Sequence, residues 1–223
     1  GLRYLDCVSG ACVYDLKEKK TLYSQALNPG IVKKLMEFAL EEEAMIHVLS
    51  ERSIVQRDQQ SHMADFHMGI YQTMFDKITD KLENIYNSFC QEPFPVLKLN
   101  LYHKDESSRA RTVERIKAAG LETALALAES TSLECSAKGI NKGVGLKKLC
   151  EHLGLPLEQT IAVGDADNDT MALKTAGLAI AMGNATEPVK ALADVIVADC
   201  DHNGCAEAID KYLLAENRPQ KPV

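Results

Sequence analysis

After Ser136 the chain repeats one pattern: helix, short loop, apolar strand, then helix again. Leu146, Leu149, Cys150 and Leu153 form the apolar face of a helix that Gly154 closes. Thr160 to Gly164 reads as a buried strand that ends in an acidic loop at Asp165. Asp169 to Ala176 is helical, with Gly177 as its stop, and Leu178 to Met182 is a strand ending in Gly183-Asn184. A short helix over Glu187 to Ala193, a strand over Val195 to Val197 and a last helix over Asn203 to Leu214 complete the series. Such alternation predicts an α/β fold, a parallel sheet with helices on both faces. Ligands of these sheets gather at the carboxyl ends of the strands, where Asp165 and Gly183-Asn184 both fall.

The first part of the chain is mixed. Arg3 to Asp15 reads as strand, Ser9-Gly10 turn and strand, and Thr21 to Ala26 as a further strand. Asn28-Pro29 starts a helix, with Asn as cap and Pro at the first helical position. Ile31, Leu35, Phe38 and Ala39 share one face of it. Met45 to Leu49 and Val96 to Tyr102 read as strands, and Ser107 to Ala119 as an Arg-rich helix closed by Gly120. Residues 51–68 give no clear pattern, and Ile70 to Tyr86 has a mixed helical periodicity. Ala124 to Leu127 and Leu133 to Cys135 are short strand candidates. The tail from Asn217 to Val223 carries two prolines and reads as frayed.

Composition closes off other classes. Hydrophobic residues make up 46% of the 223 and charged residues 26%, enough apolar side chain for a packed core. No apolar run reaches the ~18 residues of a membrane span. A formal charge of -7 without a basic stripe argues against nucleic acid and anionic membrane as partners. The seven cysteines are odd in number and include no C-x-x-C pair. With no recognisable secretory leader, they predict a reducing, cytoplasmic setting rather than a disulfide scaffold. Oligomeric state has no signature.

The most informative hexapeptide is Gly164-Asp165-Ala166-Asp167-Asn168-Asp169. Three carboxylates and an amide directly after a buried strand suit Mg²⁺, which takes one or two protein carboxylates plus water and substrate oxygens. A solvated turn is the alternative, since Asp, Asn and Gly favour turns. An EF-hand is excluded: its sixth and twelfth positions would be Thr170 and Ala176, where Gly and Glu are needed. Just before a helix stands Lys138-Gly139-Ile140-Asn141-Lys142-Gly143. A lysine there can hold an anion together with free backbone N–H groups, or can simply be a basic turn. The P-loop spacing is absent. One ammonium and one metal, brought together by the fold, could serve a single phosphoryl group. The histidines are scattered and lack H-E-x-x-H. Met63, Met68 and Met74 read as core filler, with a substrate pocket as the other option.

The stretch from Lys138 to Ile209 resembles the carboxyl-terminal part of Cof-type phosphatases of the haloacid dehalogenase superfamily. The order lysine-glycine, G-D-x-x-N-D, M-G-N-A and A-D-x-V carries the resemblance. Ser9-Gly10-Ala11 to Asp15 is similar to the family's segment entering its cap. The resemblance implies a core strand leading into the cap at 1–15, an inserted α/β cap at 16–132 and the carboxyl-terminal part of the core at 133–223, with Mg²⁺-dependent hydrolysis of a small phosphorylated metabolite. It implies an aspartate nucleophile that becomes an aspartyl phosphate, with a second aspartate as acid and base. It gives Lys142 the role of neutralising nucleophile and phosphoryl oxygens. Asp165 would bind the metal with Asp169 supporting it, and Asn168 would contact the substrate phosphate.

The family's D-x-D-G-T nucleophile motif is absent from these residues. Asp165 and Asp167 belong to the later motif. The expectation is therefore a chain that is part of a longer polypeptide, with the first two core strands outside it and negligible phosphatase activity of its own. The alternative is a non-catalytic remnant that binds phosphate ligands or a partner protein.

Overall fold

The computed structural model describes residues 1–129 and 131–215, so the expected fraying from Asn217 lies outside the described residues. Strands β1 (Tyr4–Cys7), β2 (Cys12–Asp15) and β3 (Lys20–Ser24) open the chain as a three-stranded sheet in that order. Helix α1 (Pro29–Glu41), strands β4 (Met45–Leu49) and β5 (Ser53–Gln56), and the short helices α2 (Arg57–Ser61) and α3 (Gln72–Ile78) follow. Next come β6 (Asp80–Leu82), α4 (Ile85–Gln91), β7 (Lys98–Tyr102), α5 (Glu106–Ala118), β8 (Thr123–Ala128) and β9 (Ser132–Ala137). The remainder is α6 (Lys142–Leu153), β10 (Ile161–Gly164), α7 (Thr170–Thr175), β11 (Leu178–Ala181), α8 (Glu187–Lys190), β12 (Val195–Ile196) and α9 (Gly204–Ala208).

The chain forms two compact units, one from residues 1–23 with 141–223 and the other from residues 24–140. These limits differ from the 15/16 and 132/133 boundaries expected from the sequence. β3 pairs with β2, which holds residues 20–23 in the first unit. β9 hydrogen-bonds between β7 and β8, which holds residues 133–137 in the second.

In the first unit β10, β11 and β12 form a parallel sheet in that order. Alternate residues of β11 feed opposite faces, as the two-residue period of a strand requires. Ala179 and Ala181 pack with Leu173 of α7 and Val189 of α8. Leu178 and Ile180 pack with Ala208 of α9. All four β11 residues are buried, whereas on β10 Val163 is 39% exposed and Ile161 and Ala162 are half-buried. β10 pairs with β11 on one side and, among the described residues, with no strand on the other.

The second unit is one six-stranded sheet, β6-β5-β4-β7-β9-β8, antiparallel except for the β5–β6 pair. Asn28 caps α1 by accepting from Gly30 N at 2.8 Å, and Asp105 caps α5 by accepting from Ser108 N at 2.8 Å. Leu35 of α1, Phe89 of α4 and Ile116 of α5 bury against Ile46, Leu99, Leu101 and Leu133 on one sheet face. Met45, Val55, Met63, Met68, Phe75 and Tyr102 cluster on the other.

Candidate active site

Lys142 is the first residue of α6, and Asn141 caps that helix by accepting from Val144 N at 3.2 Å. An ammonium here stands against the positive end of the helix dipole, so it needs a negative partner. Asp169 supplies it: Lys142 Nζ donates to Asp169 Oδ1 at 2.5 Å across 27 residues of sequence. The contact forms because α6 lies against α7 with no room for a side chain between them. A Cβ on Gly143 would stand 2.5 Å from Met171 O and 2.7 Å from Thr175 Oγ1. The β1–β2 turn closes from the other side. Gly10 sits at φ +89, and a Cβ there would be 1.9 Å from Asn141 O.

Asp169 is the buried centre of the acidic loop. Its Oδ2 accepts from Asp165 N at 3.0 Å and Ala166 N at 3.2 Å, folding the loop back on itself at the end of β10. Burial alone would raise its pKa. The Lys142 ammonium and the two amides overcome that and hold the carboxyl below the ordinary aspartate value. Asp165 is exposed, and its Oδ2 accepts from Asn184 Nδ2 at 3.2 Å; Asn184 Oδ1 in turn accepts from Cys200 N at 3.0 Å. The carboxyl ends of β10 and β11 are thereby tied together. Asn168 is half-buried in the turn between Asp167 and Asp169.

A cavity of about 420 Å³ opens beside the pair, lined by Asp6, Ser9, Lys142, Leu146, Val163 and Asp169 among others. Lys142 and Asp169 thus share one space. Asp165 reaches them through its backbone, and Asn168 does not line the cavity. Lys138 is drawn elsewhere, into an ion pair with Glu122 of the second unit. Asp6, on β1, is the wall residue that sequence reasoning missed. Burial pushes its carboxyl up to about 6, with the Lys142 charge acting in the opposite direction. A carboxylate within the otherwise apolar run Tyr4-Leu5-Asp6-Cys7-Val8 was the available signal. Burial and the neighbouring Cys12 push the Cys7 thiol up to about 12, which leaves it without thiolate at neutral pH.

Mg²⁺ is bound through one or two carboxylates plus oxygens from water and substrate. Among the described residues Asp165 keeps one carboxylate oxygen open, while both oxygens of Asp169 already accept hydrogen bonds. Among the described residues no three carboxylate, imidazole or thiol groups are placed to hold one ion. The residues present offer one open carboxylate edge, on Asp165, which falls within the one or two carboxylates that Mg²⁺ takes from a protein.

A parallel sheet with helices on both faces, a lysine at a helix start and an acidic loop at a strand end are the features of a haloacid dehalogenase-like fold. The family model described as haloacid dehalogenase-like hydrolase matches residues 2–209. The chain belongs to that family. It is 36% identical over 118 residues to the 5-amino-6-(5-phospho-D-ribitylamino)uracil phosphatase YcsE of Bacillus subtilis, covering 53% of this chain and 47% of that protein. It is 33% identical over 142 residues to a phosphoglycolate phosphatase of Methanosarcina acetivorans, covering 61% of this chain and 62% of that one. The crystal structure of a haloacid dehalogenase-like hydrolase from Bacteroides thetaiotaomicron superposes with a TM-score of 0.77 at 25% identity, covering 93% of this chain and 75% of that one. The chain spans about half to three-fifths of the length of these two curated relatives. No helix among the described residues is long and apolar enough to cross a membrane.

Proposed function

We propose that this chain carries part of the active site of a Cof-type, Mg²⁺-dependent phosphatase for phosphate monoesters of small metabolites. The carrying observation is the Lys142–Asp169 pair, which lines the cavity and ties the acidic loop to the start of α6. Phosphoryl transfer depends chiefly on positioned positive charge. Lys142 offsets charge on the nucleophile and the phosphoryl oxygens, Asp169 holds its ammonium in place, and Asn168, which does not line the cavity itself, reaches the phosphate from the acidic loop. Asp165 contributes a carboxylate to the metal, and further ligands come from outside these residues.

The nucleophilic aspartate lies on a strand outside the sequence, against the open edge of β10. The half-exposed side chains of β10 support that placement, because a central strand of a parallel sheet is normally covered on both sides. The aspartate attacks phosphorus and the ester oxygen leaves as an alcohol, protonated by a neighbouring acid. Water then cleaves the aspartyl phosphate to inorganic phosphate. The relatives' names concern a ribitylamino-uracil phosphate and phosphoglycolate, and the class these share, small phosphate monoesters, is what we carry over. A cytoplasmic setting fits seven cysteines that form no disulfide.

The test is hydrolysis of p-nitrophenyl phosphate with and without MgCl₂. The 223-residue chain is compared with the product of the natural reading frame read through its start codon. We expect turnover in the longer product alone, and its loss in Lys142→Ala and Asp165→Ala. Equal magnesium-dependent turnover by the 223-residue chain, or near-normal rates in either variant, would refute the assignment.

A further inference from the structure

Helix α6 begins Lys142-Gly143-Val144-Gly145. Glycine is unfavourable inside a helix, and two in the first turn require a reason. Each admits a different element. Gly143 lets α7 close: a Cβ there would stand 2.5 Å from Met171 O. Gly145 lets β1 close: a Cβ there would stand 2.0 Å from Asp6 Oδ1 and 2.4 Å from Asp6 Oδ2. Successive helix residues are turned by about 100°, so Lys142 stands between these two sides, roughly 100° from Gly143 and roughly 60° from Gly145.

Each side brings a carboxylate. On the α7 side Asp169 Oδ1 accepts from Lys142 Nζ at 2.5 Å. On the β1 side Asp6 lines the same cavity as Lys142 and Asp169, and the Lys142 charge acts on its carboxyl. Two thiols also interact with Asp6, Cys7 beside it on β1 and Cys12 on β2. Burial raises both, so neither carries charge near neutral pH. No histidine lines the cavity among the described residues. The ammonium thus faces one carboxylate that three hydrogen bonds keep ionised, and a second whose charge changes near neutrality, since burial pushes the Asp6 carboxyl up to about 6.

We propose that Asp6 is a positioning residue for Lys142: ionised, it takes a share of the ammonium from the β1 side and weakens the hold of the site on a tetrahedral anion, and protonated, it leaves that charge to Asp169 and the anion. With Asp6 neutral, the Lys142–Asp169 pair carries no net charge. With Asp6 ionised, the three side chains carry one net negative charge, which repels an incoming anion. Asp169 cannot play this part, because both of its oxygens are committed to the acidic loop and to Lys142. That the anion is a phosphoryl group rests on the phosphatase reading; the coupling of Asp6 to Lys142 does not.

The experiment is ¹³C-lysine NMR on the 223-residue chain in about 0.15 M NaCl, which screens distant charges. Sulfate is the probe, because it stays a dianion from pH 5 to pH 8. The Lys142 ε-methylene signal, assigned by its absence in Lys142→Met, should move with a midpoint near pH 6 in the wild type and stay fixed through that range in Asp6→Asn. Sulfate, read from the same signal, should bind at least about threefold more weakly at pH 8 than at pH 5 in the wild type, and equally at both in Asp6→Asn. Gly145→Ala, whose methyl displaces the carboxylate without removing it, should shrink both effects and decides the matter if the Asn variant does not fold. A Lys142 titration that survives Asp6→Asn, a sulfate ratio that the substitution leaves unchanged, or no response of this signal to sulfate at either pH would overturn the proposal. Neither readout uses turnover, so failure of the phosphatase reading shows in hydrolysis alone.

Discussion

Asp169 is placed as the keystone of the first unit, and Asp169→Ala measures how much it holds. The residue is 9% exposed and accepts three hydrogen bonds. Removal orphans the Asp165 and Ala166 amides; a backbone donor left unpaired costs about 1–3 kcal/mol. The loop is partly open to water, so the low end of that range applies, about 1 kcal/mol for each amide. The Lys142 side chain is 36% exposed and can resolvate, which limits its share to about 0–1 kcal/mol. The sum is about 2–3 kcal/mol, or roughly 5–10 °C in melting temperature for a chain of this size. Asp165→Ala, which removes one contact between exposed groups, should cost less than about 1 kcal/mol. Thermal unfolding of both variants at pH 7 reads the difference. The pH dependence has a definite sign. The folded Asp169 carboxyl lies below the ordinary aspartate value of 3.8, so its contribution is complete above that value. It is lost as pH falls through the lower folded value. The gap between wild type and Asp169→Ala should narrow below about pH 4. Variants that melt together, or a gap that stays constant into strong acid, would refute the keystone role.

Three further outcomes follow from other positions. Asp6 is held at about 6 when folded, so the folded state binds its proton more tightly than the unfolded state and the charged form destabilises as pH rises through 6. Asp6→Asn should therefore raise the melting temperature at pH 8 and leave it unchanged at pH 3.5, and equal effects at both would contradict the raised value of that carboxyl. His47 is lowered to about 4, which predicts that its imidazole NMR signal keeps the neutral shift down to about pH 5 and that stability drops as pH falls from the ordinary 6.5 toward 4; a midpoint near 6.5 would show an open ring. Gly143→Ala should cost about 1–3 kcal/mol in chemical denaturation, because α6 and α7 must part to admit the methyl, and the result to set against it is the roughly 1 kcal/mol gain that alanine brings to an unhindered helix interior.

Local chemistry was legible wherever one segment decides its own structure. The Asn28-Pro29 start of α1, the Gly154 stop after α6, and the acidic turn after β10 all follow from residues within a few positions of each other. Pairing over long separations was not. β9 has the look of a core strand, and nothing in Ser132–Ala137 says that it docks on β7 some thirty residues upstream. The stretch from Ile70 to Tyr86 has a helical period, yet the three residues of β6 interrupt it because β5 offers a free parallel edge. Residues 51–68 hid β5 because Ile54 and Val55 face opposite cores and so give no alternation on either side.

The same limit explains two polar residues outside the motifs. Asp6 and Asn100 each sit in a short strand at positions where an outward polar residue would be ordinary. Their meaning depends on what covers the other face of the strand. Asp6 is read as a site residue because Gly145 has no side chain: a Cβ there would stand 2.0 Å from the carboxylate. Asn100 is buried because Met68, from a stretch with no clear strand or helix signal, and Phe75 of α3 fold over the second face of the sheet. Of the three methionines left open between core and pocket, Met63 is fully buried, Met68 is buried and lines a cavity on that face, and Met74 is 46% exposed at its rim. Spacing along the chain cannot separate those roles, because they are set by how far each thioether lies from the sheet rather than by which helix turn it occupies.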